Sequence, residues 1–562
     1  MFGNISKRLA VRIVAVICLF GFGSGLAAAG PAQEHADVVY HNGKIYTMDE
    51  QRSRAQAVAV KDGRFIAVGS DKQVLSAAGP DTEKIDLAGS MTLPGLHDAH
   101  FHLMVAMMNL ECTPGNFDQE DLREILEDCK ANPEVPGYPW LIVHGMEFEE
   151  DVKKINNDLL NEMFPDTPVL VRGFSGHNRL VNDKALALAG IDKNTPDPSG
   201  GEIGRDPETG EPNGLLIELA AGFLVRERFP PYPKDVVHKE MKKVFRELLS
   251  YGVTSIQDAS VFDEEVLQTV SALDKEGFPI PYVLTHQVWY PHEGETRTRV
   301  EEMIRNRQQY DTEHLSTRAI KVFLDGVPIP PKPTHVPIRD DGTIDDTHLL
   351  IQRDVLAEKY IEWDRQGLKI KMHTAADGSA RIGLDAIEAA RKANGDSGIW
   401  HEIVHAYDIS DADLPRFEKL RTVAEMSPYF WHTLLGGFGY QFASLDENNA
   451  LMTVGSDNPS VPSFNPYPPL EGMVSSFIRF FTGESLPIEK ALELYTRNGA
   501  ISMGRFRDMG SIEVGKIANM AVLDRDLLDT WSWRISSTEV LKTILDGKIV
   551  YEKKQAHVTP LD

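Results

Sequence analysis

Residues 91–103 read MTLPGLHDAHFHL, an apolar run that carries His100 and His102 near its end. A strand turns alternate side chains to opposite faces, so two histidines two apart point the same way and can share a ligand. Seven more runs of this short apolar kind follow: GVTSIQDAS (252–260), PIPYVLTHQV (279–288), RAIKVFLDG (318–326), LKIKMHTAADG (368–378), HEIVHA (401–406), RTVAEMSP (421–428) and LMTVGSDNP (451–459). Between them lie segments with apolar residues at helical spacing, among them KEMKKVFRELLSY (239–251), RDVLAEKYIEWDRQG (353–367) and RIGLDAIEAARKA (381–393). Eight strand-like units alternating with helices predict an α/β fold, a (β/α)8 TIM-type barrel.

Two β-rich ends flank that middle. Residues 36–92 contain ADVVYHNGKIYTMD and QAVAVKDGRFIAVGS, in which Asn42-Gly43 and Asp62-Gly63 sit between apolar alternations and predict hairpin turns. GSIEVGKIANMAVLDRD (510–526) and VLKTILDGKIVYEK (540–553) repeat the pattern, the latter turning at Asp546-Gly547. The expectation is a small β-sandwich domain built from both chain ends, 30–92 and 506–562, beside a barrel at 93–505. Residues 104–250 interrupt the barrel after its first strand and carry their own strand signals, WLIVHGM and TPVLVRGFSG. They are expected to form an insertion over the barrel mouth.

The 562 residues are too many for one compact core. Charged residues at 25% and hydrophobics at 42% exclude a disordered, collagen-like or coiled-coil chain. A net charge of −26 repels phosphate backbones and anionic lipid, so nucleic acid is not an expected partner. A small-molecule substrate is, and a homo-oligomer is compatible. At the N-terminus Lys7, Arg8 and Arg12 precede the apolar run IVAVICLFGFGSGLAAA, which ends in Ala27, Ala28 and Ala29. This predicts a cleavable signal peptide at 1–29, a periplasmic or secreted protein, and no membrane attachment after cleavage, the run being short for a membrane anchor. Cys112 and Cys129 remain after cleavage. They could form a bridge in an oxidising compartment or stay as buried thiols.

His100, His102, Lys321, His373, His405 and Asp457 all fall near the C-terminal ends of predicted strands, the rim where such barrels assemble their sites. Taken singly, the histidines read equally well as packed core residues and Asp457 as a turn or cap. Lys321 is different. An ammonium within AIKVFLDG costs several kcal/mol to bury unless it reaches solvent or is chemically changed. Imidazoles and a carboxylate on one rim suit a divalent metal, with zinc the first candidate and manganese, iron or nickel compatible.

LPGLHDAHFHL, the Lys, His, His and Asp that follow it, and the closing GSIEVGKIANMAVLDRD together resemble the amidohydrolase superfamily. GHNRLVNDKALALAGI (176–191) and PSGGEIGRDPETGEPNGLL are similar to its amidohydrolase-3 branch, which holds N-acyl and formamide hydrolases. The likeness covers about residues 36–555. It implies one or two divalent metal ions, with His100 and His102 holding one, His373 and His405 a second, and Lys321, converted by CO2 to a carbamate, bridging them. Asp457 is implied as a metal ligand and as the group that takes the proton of the attacking water. His177 and Asn182 match a recurrent pattern in the insert, and a histidine over the barrel mouth could polarise a substrate carbonyl or simply pack its loop. Val404 stands where the family often has Glu, Ala376 where it has Gly, and VPIPPKPTHVPIR follows Asp325-Gly326 in place of small residues. Tyr429, Phe430, Trp431, Phe438 and Tyr440 could line an apolar pocket or serve as packing.

The function so implied is a periplasmic metal-dependent hydrolase that cleaves an amide-like C–N bond of a small, neutral or partly apolar molecule with metal-activated hydroxide. Two other readings keep the same fold. One is an esterase, lactonase or phosphotriesterase at the same site; the other is a non-catalytic binding or regulatory protein.

Overall fold

The computed structural model describes residues 35–554 apart from 290–294, 407, 430–438, 461–462, 476–479 and 481. The predicted signal segment 1–29 and the aromatic residues Phe430, Trp431 and Phe438 therefore lie outside the described residues. No helix among the described residues is long and apolar enough to cross a membrane.

Eight strands form the barrel, in sequence order Leu96–Phe101, Val253–Val261, Tyr282–Val288, Leu315–Phe323, Lys369–His373, His401–Val404, Thr422–Met426 and Leu451–Val454. Each is hydrogen-bonded in parallel to the next. Helices fill the intervals because their apolar residues recur every three or four positions. Lys234–Ser250, for example, buries Val237, Met241, Val244, Phe245 and Leu248 on one stripe. Each such side chain contributes about 1.5–3 kcal/mol when removed from water.

The first and eighth strands meet at their C-terminal ends. Asp457 N–H donates to His100 O at 2.7 Å, and His102 N–H donates to Asn458 O at 3.1 Å. Gly455 lets the two segments come this close, since a Cβ there would lie 2.2 Å from His100 N. The barrel is thus sealed by backbone bonds of residues that the sequence singles out for chemistry.

Residues 104–250 carry a five-stranded sheet, in the order Glu202–Arg205, Pro212–Ile217, Arg179–Val181, Val169–Gly173, Leu141–Met146. Cys112 and Cys129 form a disulfide that ties the chain leaving the barrel's first strand to the helix Leu122–Ala131.

The two chain ends combine in two further sheets. One has four strands, Arg64–Gly69, Ala57–Lys61, Ala36–His41 and Ala78–Asp86. The other has six, Lys548–Glu552, Val540–Leu545, Met520–Leu523, Met91–Pro94, Lys44–Tyr46 and Arg54–Ala55. Their shared core joins Val38, Tyr40 and Phe65 to Ile512, Met520 and Ile544. The fold is therefore a (β/α)8 barrel with a large insertion after its first strand and a β-sandwich made from both ends.

Asp62-Gly63 (φ 47° and 76°) and Asp546-Gly547 (φ 50° and 77°) are hairpin turns, both residues taking the left-handed backbone that such turns require. Asn42-Gly43 is not. The strands on its two sides pair in different sheets. Asn42 alone is left-handed there, at φ 55°. Its N–H donates to Asp71 and its side-chain amide to Asp86, at 2.8 and 2.7 Å, and these bonds carry the chain from one sheet across to the other.

His314 clamps the sandwich to the barrel. Its Nδ1 meets Asp274 and its Nε2 meets Asp546, each at 2.8 Å. Burial alone would depress its pKa, but hydrogen bonds and charge from the two carboxylates lift it to about 9. The stabilisation from charged His314 is complete below the unfolded-state pKa of about 6.5 and is lost as pH rises through about 9. Its size is on the order of 3 kcal/mol. We expect the Tm of the protein to fall between pH 7 and pH 9.5, and His314→Gln to start lower and lose most of that slope. Parallel Tm curves for the two proteins would rule out the clamp.

Candidate metal centre

The barrel interior below the rim is filled with paired ions. Lys369 and Lys371 alternate on the fifth strand, and Glu402 faces them from the sixth. Lys371 Nζ lies 2.6 Å from Glu402 Oε2 and donates to Ala99 O of the first strand at 2.5 Å. Lys369 Nζ lies 3.0 Å from Glu402 Oε1 and donates to Ser502 O at 2.7 Å. Full burial would raise Glu402, but the two lysines hold it well below the usual carboxylate range.

One layer up, five imidazoles run in a row across the rim. Ring centroids lie 5.0 Å apart for His102 and His100, 5.0 Å for His100 and His405, 4.9 Å for His405 and His373, and 5.5 Å for His373 and His177. His405 and Asp457 both have left-handed backbones, at φ 61° and 55°. This conformation is uncommon outside glycine and recurs at functional sites. At His405 it has a visible effect. His401, four residues earlier, faces outward to Asp364 on the helix Arg353–Arg365. Strict alternation would send His405 the same way, and the left-handed residue turns it back over the rim.

Asp457 Oδ1 sits between two imidazoles, 3.3 Å from His100 Nε2 and 2.9 Å from His102 Nε2. Donor atoms of these three residues all lie within 4.8 Å of one another, the one such group of three among the described residues. A tetrahedral metal with bonds of about 2.0–2.1 Å spaces its ligand atoms about 3.3 Å apart, so the donor set fits. The tautomers fit as well. His100 Nδ1 bonds Glu425 at 2.7 Å, His102 Nδ1 bonds Ser260 Oγ at 2.8 Å, and His373 Nε2 bonds Gly326 O at 3.0 Å. Each ring is oriented through one nitrogen and keeps the other for a ligand, as metal-binding histidines usually do.

The electrostatics favour neutral imidazoles. Burial, then the charge of Lys321 or of neighbouring imidazoles, puts His100, His373 and His405 well below the ordinary histidine range. Burial lifts Glu425 to about 8, with Lys371 opposing and Glu402 and Asp457 adding to the rise. A divalent cation next to His100 would act against that rise and favour the carboxylate. Lys321 is 1% exposed. Burial, followed by the charge of Lys371, lowers its pKa from 10.5 to about 7.

His177 reaches the same cavity from the insert. Its Nδ1 meets Glu218 Oε2 at 2.7 Å, and the Thr334 hydroxyl donates to the other carboxylate oxygen. Asn182 is elsewhere: its Oδ1 caps the helix Asp183–Ala189 at Ala185 N and accepts from Val169 N, so it is part of the insert's scaffold. Tyr440 lines the cavity, while Tyr429 is half-buried and not part of its lining. Glu425, Ser260 and Glu218 are the site's unforeseen members. Glu425 carried a signal of the same kind as Lys321, a charge inside the apolar run TVAEM.

The Amidohydrolase family model matches residues 83–551. The chain is 28% identical to N-substituted formamide deformylase of Arthrobacter pascens, over 92% of this chain and 98% of that one. It is 27% identical to the putative amidohydrolase YtcJ of Bacillus subtilis, over 92% and 99%. Among solved structures, an uncharacterized metal-dependent hydrolase from Pyrococcus horikoshii superposes with a TM-score of 0.67 at 21% identity, covering 89% of this chain and 99% of that one. That last likeness speaks for the fold. With the family model spanning the barrel, its insertion and most of the C-terminal part of the sandwich, and with a donor set that fits a metal on the rim, the chain belongs to the amidohydrolase family and is a metal-dependent amidohydrolase.

Proposed function

We propose that the enzyme hydrolyses the C–N bond of a small N-acyl amine, with an N-substituted formamide as the first substrate to try, and that it does so in the periplasm with zinc. The observation that carries this reading is the convergence of His100, His102 and Asp457 at a cavity of about 870 Å³. Likeness to a formamide deformylase along nearly the whole chain supports the choice of bond. Zinc held by these residues would supply a Lewis acid for the carbonyl and lower the pKa of a water.

This chain's own side chains do the rest. Asp457 accepts the proton of the attacking water and passes it to the leaving nitrogen as the C–N bond breaks. His177 is held through Nδ1 by Glu218, which leaves its Nε2 to face the substrate's carbonyl oxygen, where negative charge builds as the bond is attacked. Lys321 acts as a ligand after modification. Its neutral amine adds carbon dioxide, forming an N–C bond and releasing a proton, and the carbamate oxygens would join His373 and His405 as ligands for a second ion. Burial beside Lys371 supports this step, because it favours the neutral amine. Export is supported by the N-terminal sequence and by the Cys112–Cys129 disulfide, a bond that persists in oxidising compartments.

Chelation should abolish hydrolysis of N-benzylformamide, and added zinc should restore it. Asp457→Asn should lower kcat about a hundredfold or more, because an amide cannot accept the proton. Full turnover by metal-free protein would end the proposal.

Lys321→Ala should lose metal and activity and regain part of both with acetate or propionate, whose oxygens replace those of the carbamate. Lys321→Arg should fail with or without the acid, since guanidinium cannot take up carbon dioxide. Normal metal content in Lys321→Arg would reduce the site to a mononuclear one.

N-terminal sequencing of protein from the periplasmic fraction should begin near Gly30. Intact Met1 on protein from the cytoplasm would refute export.

A further inference from the structure

The cavity that holds the candidate metal residues has a second polar end, in the insert. His144, Arg172 and Arg179 lie directly opposite one another on three adjacent strands: Arg172 pairs with His144 on one side and with Arg179 on the other. Directly opposed residues share a face, so the three side chains form one row, and all three line the cavity. Arg226, on the helix Glu218–Arg226, lines it too and lies near enough to Arg172 to feel its charge.

Like charges placed directly opposite across a sheet repel, and burial strengthens the repulsion. Arg172 is 6% exposed and Arg179 5%. The carboxylates near Arg172 and Arg226 are shared with other groups. Glu111 approaches Arg172 only at 3.7 Å and is already engaged by His144 Nε2 and by the Tyr232 hydroxyl. Asp263, paired with Arg226 at 2.6 Å, is shared with Arg299. Arg172 Nε is buried with no hydrogen-bond acceptor among the described residues. In a chain of net charge −26, a cavity wall that carries three arginines and, among the described residues, one carboxylate, Asp457, is a local reversal of sign.

We propose that this row is the binding site for a carboxylate at the far end of the substrate, so that the enzyme acts on N-acyl compounds that are anionic. Arg172 supplies the planar fork that a carboxylate fits, and Arg226 adds charge from the side. Arg179 donates to His177 O at 3.1 Å and so links this row to the histidine over the rim. Met104, Met108, Phe223 and Phe262 line the same cavity and suit an apolar spacer between the carboxylate and the scissile bond. The assignment rests on the hydrolase reading for the bond that is cut, but the binding of the carboxylate does not depend on turnover.

The test uses two formamides of equal length, 6-formamidohexanoate and its neutral counterpart 6-formamidohexanamide, together with calorimetric titration of hexanoate. The zinc-loaded enzyme should favour the carboxylate by about tenfold or more in kcat/KM, chiefly through KM. Arg172→Met should bring that preference to near one, and Arg172→Lys should keep part of it. Hexanoate binding should weaken about tenfold in both Arg172→Met and Arg226→Met; if Arg172→Met does not fold, Arg172→Lys and Arg226→Met carry the measurement. Should neither formamide be cut while hexanoate binding still depends on the arginines, the hydrolase reading falls and the carboxylate site stands. Equal kcat/KM for the two formamides, with hexanoate binding unchanged in the arginine variants, overturns the carboxylate site and leaves the hydrolase reading intact.

Discussion

Lys371 is the ion around which this barrel is arranged. Its buried ammonium sits between Glu402 of the sixth strand and the Ala99 carbonyl of the first. Glu402 is held in turn by Lys369, by Ser502 and by Gln257 of the second strand, the last at 3.2 Å. Four strands are thus tied together through one buried carboxylate. Removing either partner of a buried pair leaves an uncompensated charge and costs about 3–5 kcal/mol. The pairing also sets the potential of the layer above it, since the charge of Lys371 follows burial as a cause of the lowered pKa of Lys321 and opposes the rise at Glu425. The ions that fill the barrel are therefore part of the chemistry at its rim.

The rim itself combines rigid and strained parts. His100 sits on a strand, fixed through Glu425 behind it, whereas His405 and Asp457 follow strand ends with left-handed backbones. Strain of about 1–3 kcal/mol per such residue persists only where the surroundings enforce it. Here the backbone bond from Asp457 N to His100 O and the close approach of Gly455 enforce it at Asp457.

Much of this was legible in the sequence, for a definite reason. A barrel strand is buried on both faces, so it appears as an apolar run, and a titratable residue inside such a run is conspicuous. Lys321, His373 and His405 stand out in this way and do line the cavity. Glu425, Lys371 and Glu402 occupy the same kind of context, but what each one touches across the barrel depends on register, which sequence alone does not carry. The arginine row is hidden for the same reason. Arg172 and Arg179 are seven residues apart and become neighbours only through the pairing of two short strands. Asn42-Gly43 shows the converse failure, where a strong local turn signal was overridden by the sheets that the flanking strands joined.

The seam between the first and eighth strands also bears on the order of assembly. The bond from His102 to Asp457 spans 355 positions of sequence. Contacts of such long range form late, after the intervening chain has been drawn together. A nascent chain thus holds its paired histidines long before the aspartate that completes the set has left the ribosome, and an unfinished chain offers a metal at most two of the three donors. The donor group is complete only once the last barrel strand has docked, so tight metal capture reports a finished barrel.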